Sequence, residues 1–422
     1  MRRNIDILSE IDWFTVLLFY CLVFFGWLNI YAANYDENVV QSIFSLTVNS
    51  GKQLIFIGFT VIIVTFILAV DFKFYNTFAY VIYGVIMLML VGVMLFAREI
   101  NGARSWIQIG QFNLQPSELA KFATALALAK YMSFQDFKLN KVRNQAVMAF
   151  IIGLPAALIV LQGDVGTALV FSAFILVLFR EGMSPVLLIA GISMAALFIL
   201  TLLMNHTTLF ISIAVIGLVV ILIGKKTFKR IAIIIAGVLL IAATIKGIDY
   251  TFYKILKPHQ QNRILVLLNP NIDPLGAGWN VTQSKIAIGS GGLSGKGFLK
   301  GTQTKFDFVP EQSTDFIFCT IGEEHGWIGS LILIFLFITL LLRIIYIAER
   351  QKQRFTRIYG YAVASILFLH FTINIGMTIG LFPVIGIPLP FFSYGGSSLI
   401  AFTIFLFILL KLDAHRVQML AH

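Results

Sequence analysis

The residue best placed by type and setting to do chemistry is Asp273, in the run Asn269-Pro270-Asn271-Ile272-Asp273-Pro274-Leu275-Gly276. Two prolines and a glycine deny that run a regular helix and fix a turn. A carboxylate held on a rigid turn suits a general base. An Asx-turn or a helix cap is the plainer alternative. Glu118 and Lys121 stand three apart at the head of an apolar segment and so share one helix face. Ionisable groups at membrane depth are costly, so this pair either positions its helix as a mutual ion pair or faces a pathway. Asp164, in Gln162-Gly163-Asp164-Val165-Gly166, poses the same choice, with an N-cap as its simplest role. Residues 289–297 are glycine-rich, with amides able to approach phosphate, but they lack the Gly-Lys-Ser/Thr ending of a nucleotide loop. They read as a flexible loop or a diphosphate contact. Glu323-Glu324-His325 does not make a zinc site, because neighbours on a helix point apart.

These groups have to be positioned by a 422-residue chain that is 59% hydrophobic and 12% charged, with a mean hydropathy of +0.90. No soluble core buries that much apolar surface, so the remaining solvent is the bilayer. The fold class is therefore all-α, a polytopic integral membrane helical bundle. The 40 Phe and 33 Gly agree, since glycine lets membrane helices approach and aromatics fill the gaps. Cys21 and Cys319 fall in apolar runs and read as small buried hydrophobes. The N-terminus runs directly into a full-length span, unlike a cleaved signal peptide. Apolar runs of about 20 residues lie near 13–33, 53–70, 77–97, 115–132, 146–162, 165–180, 186–204, 207–224, 230–246, 316–346, 359–382 and 392–411. That makes about twelve spans in a single membrane domain, 1–422.

Lys and Arg in short loops are retained in the cytoplasm. An inside N-terminus puts Arg2, Arg3, Lys73, Lys130, Lys138, Lys141, Arg143, Arg180, Lys225, Lys226, Lys229, Arg230, Arg343, Arg350, Lys352, Arg354, Arg357, Lys411 and Arg416 on that side. The short outer loops keep only Lys52, Arg98, Arg104 and, at a helix start, Lys121. Both termini are then cytoplasmic, and the large loop 247–315, which carries Asp273, is extracytoplasmic. Outside the membrane no nucleotide-activated donor is at hand, so a bond-forming reaction there uses a donor that arrives activated. The loop's excess of Lys and Arg suits an anionic ligand such as a lipid diphosphate. The net charge of +11 thus points to the membrane rather than to nucleic acid.

Several long stretches resemble the SEDS family (shape, elongation, division and sporulation). They are Gly102-Ala103-Arg104-Ser105-Trp106 through Gln115-Pro116-Ser117-Glu118-Leu119-Ala120-Lys121, the Asp273-Pro274-Leu275-Gly276-Ala277-Gly278 turn, residues 283–292, Thr314-Asp315-Phe316-Ile317-Phe318, and residues 374–398. The resemblance covers nearly the whole chain. It implies the SEDS membrane fold and a peptidoglycan glycosyltransferase that polymerises lipid II, with Asp273 at the family's essential loop aspartate. Gly295-Lys296-Gly297 followed by Gly301-Thr302-Gln303-Thr304 looks like the elongation member rather than the division member. Ser313 stands where the family usually has His, and Gly163 where it often has Pro. The family typically has ten spans, so the surplus reads as an extra hairpin around 207–246.

The implied mechanism is inverting glycosyl transfer. Asp273 accepts the proton of the acceptor sugar's 4-hydroxyl, and undecaprenyl diphosphate leaves. Arg104, Lys121 and Lys285 are the candidates for stabilising the diphosphate, with a divalent cation, Mg or Mn, as an open alternative. Trp106 and Gln115 would shape the sugar or lipid groove, and Glu118 and Asp164 join the substrate- or diphosphate-binding set. The substrate is lipid II, the undecaprenyl diphosphate-linked disaccharide pentapeptide. The implied partner is a class B penicillin-binding protein transpeptidase in the bacterial plasma membrane, because the chain has no Ser-x-x-Lys acylation motif. The rival from another class is a flippase for lipid-linked precursors, which would use the ionisable groups at membrane depth as a path.

Overall fold

The computed structural model describes residues 7–35, 42–97, 103–110, 112–223, 227–256, 258–269, 272–273, 276–306 and 308–416. Gly102, Pro270, Asn271, Pro274 and Leu275 of the motifs lie outside them, as do Arg2, Arg3, Arg98, Lys225, Lys226, Lys257 and Asp307. The chain divides into two compact units, residues 1–183 with 280–422, and residues 184–279. In chain order the first unit holds α1 (Ile7–Glu10), α2 (Trp13–Ala33), α3 (Asn49–Ala69), α4 (Phe72–Thr77) and α5 (Ala79–Phe96). A hairpin of β1 (Ile107–Ile109) and β2 (Phe112–Leu114) follows, then α6 (Pro116–Met132), α7 (Val142–Leu161), α8 (Val165–Val170) and α9 (Phe174–Arg180). The second unit holds α10 (Val186–Leu203), α11 (His206–Ile223), α12 (Phe228–Tyr250) and α13 (Pro258–Leu268). Helix α14 (Ala277–Ser290) begins in the second unit and ends in the first. The first unit closes with α15 (Ile317–Glu324), α16 (Gly326–Glu349), α17 (Arg354–Thr378) and α18 (Gly396–Ala414).

Ten helices among the described residues are long and apolar enough to cross a membrane, in keeping with an all-α polytopic bundle. The two expected spans missing from that set are α6, which has 17 residues, and 165–180, where a 3-10 turn at Phe171–Ala173 interrupts the helix. The eighth and ninth segments are helices of 18 and 23 residues. Burial separates the helices by role. The windows of α17 and α18 are 67% and 83% buried, whereas those of α3 and α5 are 17% and 28% buried. The former make the protein core, and the latter offer apolar faces to lipid. Cys21 corrects the sequence reading, because it lies exposed with Leu17, Tyr20 and Phe24 on the outward face of α2.

One end of the first unit is tied by ion pairs. Asp12 caps α2 through the Thr15 amide at 3.0 Å and accepts from Arg343 at 2.6 Å, while Arg350 bridges Asp12 and Asp413. The chain's two terminal segments therefore meet at one end of this unit.

The expected span 316–346 is two helices. The chain turns at His325 and Gly326, whose φ is +60°, and a Cβ at Gly326 would come 2.4 Å from the Gly295 nitrogen. Only glycine fits there because the glycine-rich run is wrapped around this break. Lys296 and Gly297 amides donate to the Glu323 and Glu324 carbonyls at 3.0 Å, and the Trp327 and Ile328 amides donate to the Gly292 and Leu293 carbonyls. Glu323, fully buried, accepts from Lys296 Nζ at 2.6 Å and from the Thr302, Gln303 and Thr304 amides at 2.7, 2.8 and 2.9 Å. The glycine-rich run thus clasps the helix break through the Lys296 and Gly297 amides and the Gly292 and Leu293 carbonyls.

Desolvation raises the Glu323 carboxyl, but Lys296 and the Gln303 and Thr304 donors outweigh it and hold it below the usual range. Glu324, which precedes the crossing helix α16, is pushed by burial up to about 7, against the Leu299 and Gly301 amides. A carboxyl raised in the folded state stabilises fully below its unfolded pKa of 4.5 and loses that contribution as pH rises to about 7. The loss amounts to about 3 kcal/mol at most. His325, lowered by burial, works in the opposite sense, so the difference between proteins isolates Glu324. Unfolding in detergent should show wild type losing stability between pH 5 and pH 8 relative to Glu324→Gln. Parallel pH curves would contradict the assignment.

Candidate active site

The β1–β2 hairpin, with Ile107 opposite Leu114 and Gln108 opposite Asn113, was not expected from the sequence. Its strands are only three residues long. It delivers Gln115 as N-cap and Pro116 as the first residue of α6, where the missing amide costs nothing. Ser397 at the head of α18 accepts from the Gln115 amide at 3.2 Å. The Gln115 side chain reaches across to Asp164, donating to Oδ2 at 3.0 Å. Asp164 also caps α8, accepting from the Thr167 amide at 3.0 Å and the Thr167 hydroxyl at 2.8 Å. The capping role is therefore real, and the same carboxylate ties α8 to α6. The Arg104 amide donates to the Gln162 carbonyl at 2.8 Å, and the Arg104 residue is exposed. Trp106 lines a cavity of about 570 Å³ against Met89, Val93 and Phe96 of α5.

Lys121 is 1% exposed, and its ammonium is held on three sides. Glu118 Oε1 accepts from Nζ at 2.7 Å, His370 Nε2 of α17 lies at 2.8 Å, and the Phe402 ring of α18 is 4.9 Å away. The pair is thus the structural ion pair of the sequence reading, with a third member from α17. Two of its three N–H groups are engaged within the protein, by Glu118 and His370. Glu118 Oε2 has no hydrogen-bond partner among the described residues.

Opposite α6 lies the irregular segment 379–395. Gly166 of α8 comes so close that a Cβ would meet the Ile385 carbonyl oxygen at 2.5 Å, and one on Gly26 of α2 would meet the Phe392 carbonyl oxygen at the same distance. Asn374 of α17 donates to the Asp315 carbonyl at 2.9 Å and the Ile387 carbonyl at 2.8 Å. Ser313, at the position of the family's usual His, accepts from Asn49 Nδ2 at 3.4 Å through its hydroxyl and from the Tyr394 amide at 2.9 Å through its carbonyl. Lys285 lies exposed on α14 and crosses Gly380, whose φ is +77° and whose Cβ would meet Lys285 Nζ at 2.5 Å. Neighbouring Ser284 anchors α14 to the Thr378 carbonyl at 2.9 Å.

Asp273 belongs to the second unit. Its carbonyl accepts from the Gly276 amide at 3.3 Å and the Gly278 amide at 3.1 Å, which closes the expected turn. Its carboxylate folds over Gly276, where an added Cβ would stand 2.4 Å from Oδ2. Gly276→Ala should therefore displace the carboxylate and lower by about 10²-fold any turnover that depends on it, the order that a 1 Å misplacement costs. An alanine variant with wild-type turnover would show that the carboxylate's placement there is immaterial.

The first unit brings Gln115, Glu118, Lys121 and Asp164 into one polar cluster. Trp106 and Lys285 sit on other parts of that unit. Sequence reasoning missed His370, Phe402 and Asn374. The signal available was the spacing of His370 and Asn374, four apart and so on one face of an apolar helix. Among the described residues no three His, Cys, Asp or Glu side chains converge on a point that could hold a metal ion.

The chain matches the model of the FtsW, RodA and SpoVE cell cycle proteins over residues 12–209 and 186–418. It is 32% identical, over 441 aligned positions, to the peptidoglycan glycosyltransferase RodA of Treponema pallidum (strain Nichols), spanning 97% of this chain and 99% of the relative. It is 34% identical to the peptidoglycan glycosyltransferase MrdB of Escherichia coli (strain K12), over 82% of this chain and 80% of the relative. Among solved structures, a chain from a peptidoglycan synthase complex superposes with a TM-score of 0.71 at 26% identity, covering 97% of this chain and 99% of that one. RodA of Thermus thermophilus, at 24% identity and a TM-score of 0.62 over 96% of this chain and 97% of that one, shares the fold.

Proposed function

This chain belongs to the FtsW, RodA and SpoVE family of cell cycle proteins and is a peptidoglycan glycosyltransferase, and we propose that it polymerises lipid II during cell elongation with Asp273 as general base. The observation that carries the reading is the full-length likeness to a RodA glycosyltransferase. The relatives named RodA and MrdB, with the Gly295-Lys296-Gly297 motif, support elongation over the division role.

In the proposed reaction the acceptor sugar's 4-hydroxyl oxygen attacks the anomeric carbon of the donor from the face opposite the diphosphate. Asp273 takes the hydroxyl proton as the new glycosidic bond forms. The bond to the diphosphate oxygen breaks with its electron pair, and undecaprenyl diphosphate leaves with inversion. Arg104 and Lys285, both exposed, supply countercharge to the leaving group. Gln115 and Asp164, joined by a hydrogen bond, take part in binding the substrate, Trp106 borders a cavity whose α5 wall is apolar and suits lipid, and the Glu118–Lys121 pair acts from within the protein. A class B penicillin-binding protein would cross-link the strands.

For its placement we propose a multi-pass protein of the bacterial plasma membrane with both termini cytoplasmic and residues 247–315 outside. The Lys and Arg bias supports this orientation, as does the meeting of Asp12 and Asp413 at Arg350. The flippase reading draws on the buried Glu118–Lys121–His370 cluster. In that cluster Lys121 is held by both Glu118 and His370, which suits a fixed support better than a path. Detergent-solubilised protein mixed with lipid II has no sidedness, so glycan polymer supports the glycosyltransferase. Its absence, with and without a transpeptidase partner, favours transport.

A further inference from the structure

Building on the glycosyltransferase reading, we propose that His370 is a positioning residue. It sets Lys121 and Glu118, and with them the head of α6, against the irregular segment 379–395.

A protonated lysine only donates, so the His370 Nε2 that lies 2.8 Å from Lys121 Nζ accepts. A carbonyl only accepts, so His370 Nδ1, 3.2 Å from the Pro388 carbonyl, carries the proton. The two contacts together fix one neutral tautomer, because each ring nitrogen has a single role left to it. The ring is fully buried and packs edge-on against Phe402 at 4.8 Å, the same ring that faces Lys121. It has no second place to go.

His370 therefore reads two elements at once. Four residues further on, Asn374 holds the Ile387 carbonyl, so one face of α17 grips two successive carbonyls of the irregular segment. On its other side the imidazole holds Lys121, which holds Glu118. Glu118 lies in the first turn of α6, next to the N-cap Gln115 that reaches Asp164. Main-chain carbonyls inside a protein need a hydrogen-bond partner, and this imidazole couples that requirement to the placement of the polar cluster. A Gln in place of His370 can offer both an acceptor and a donor, whereas a Leu offers neither.

The test uses the purified full chain and lipid II. His370→Leu should lower kcat by about 10²-fold, as expected for misplacement without lost contact, with KM changed less than about threefold because His370 does not touch substrate. His370→Gln should recover most of the turnover. The double variant His370→Leu/Lys121→Met should be no slower than Lys121→Met, because the first change acts through the second residue. Wild-type turnover in His370→Leu, or additive losses in the double variant, would overturn the proposal. So would a Gln variant that folds with a wild-type melting profile yet is as slow as the Leu variant. If wild type itself makes no polymer, the glycosyltransferase reading has failed, and the same cycle read by melting in detergent still decides whether His370 and Lys121 act as one unit.

Discussion

Lys121→Met is expected to cost about 3–5 kcal/mol of stability, the usual penalty for breaking one side of a buried ion pair. Removing the ammonium leaves the Glu118 carboxylate in a site where its side chain is 2% exposed, with Oε2 already lacking a described partner. It also strips the acceptor His370 Nε2 of its donor. The methionine fills the volume of the lysine stem, so packing loss is a small part of the effect. Replacing both partners, Glu118→Leu with Lys121→Met, should restore most of the loss, because two apolar groups leave no uncompensated charge. Unfolding in graded denaturing detergent reads both results. A single variant as stable as wild type would mean that the pair is solvated, and a double variant as unstable as the single would mean that shape, rather than charge, sets the cost.

Asp273→Asn should produce the opposite pattern, with chemistry lost and stability kept. A general base contributes about 10² to 10⁴-fold, or roughly 3–5 kcal/mol of barrier, and an amide cannot take the acceptor's proton. The turn should survive, because Gly276 and Gly278 hydrogen-bond the main-chain carbonyl of Asp273, which asparagine retains. Asparagine also matches the carboxylate's reach over Gly276, so the tight contact there persists. The melting profile of this variant should overlay that of wild type.

Much of this architecture was legible in the chain because period and hydropathy are local. The helical spans, the α6 start at Pro116, the Asp164 cap and the Glu118–Lys121 pairing all follow from spacing within a few residues. What escaped is tertiary. The break between α15 and α16 lies in an apolar run and is set by the close approach of Gly326 to the 292–295 backbone, some thirty residues away in sequence. The glycine-rich run looked able to hold phosphate, and the main-chain carbonyls of residues 323 and 324 take two of its amides, those of Lys296 and Gly297. His370 was overlooked because a lone histidine in an apolar helix has no local partner. Its partners are a lysine 249 positions away and a carbonyl 18 positions on. Asp273 was chosen correctly as the turn residue from its prolines and Gly276, and its catalytic role rests on the family likeness.

The central claim is that this chain joins lipid II units using the Asp273 carboxylate. The most direct measurement is the initial rate of glycan formation from saturating lipid II by purified wild-type protein and by Asp273→Asn, in detergent, at matched folded concentrations. Glycan strands are expected from wild type, and a rate at least about 10²-fold lower from the variant. Equal rates from the two proteins, or no strands from wild type, would contradict it.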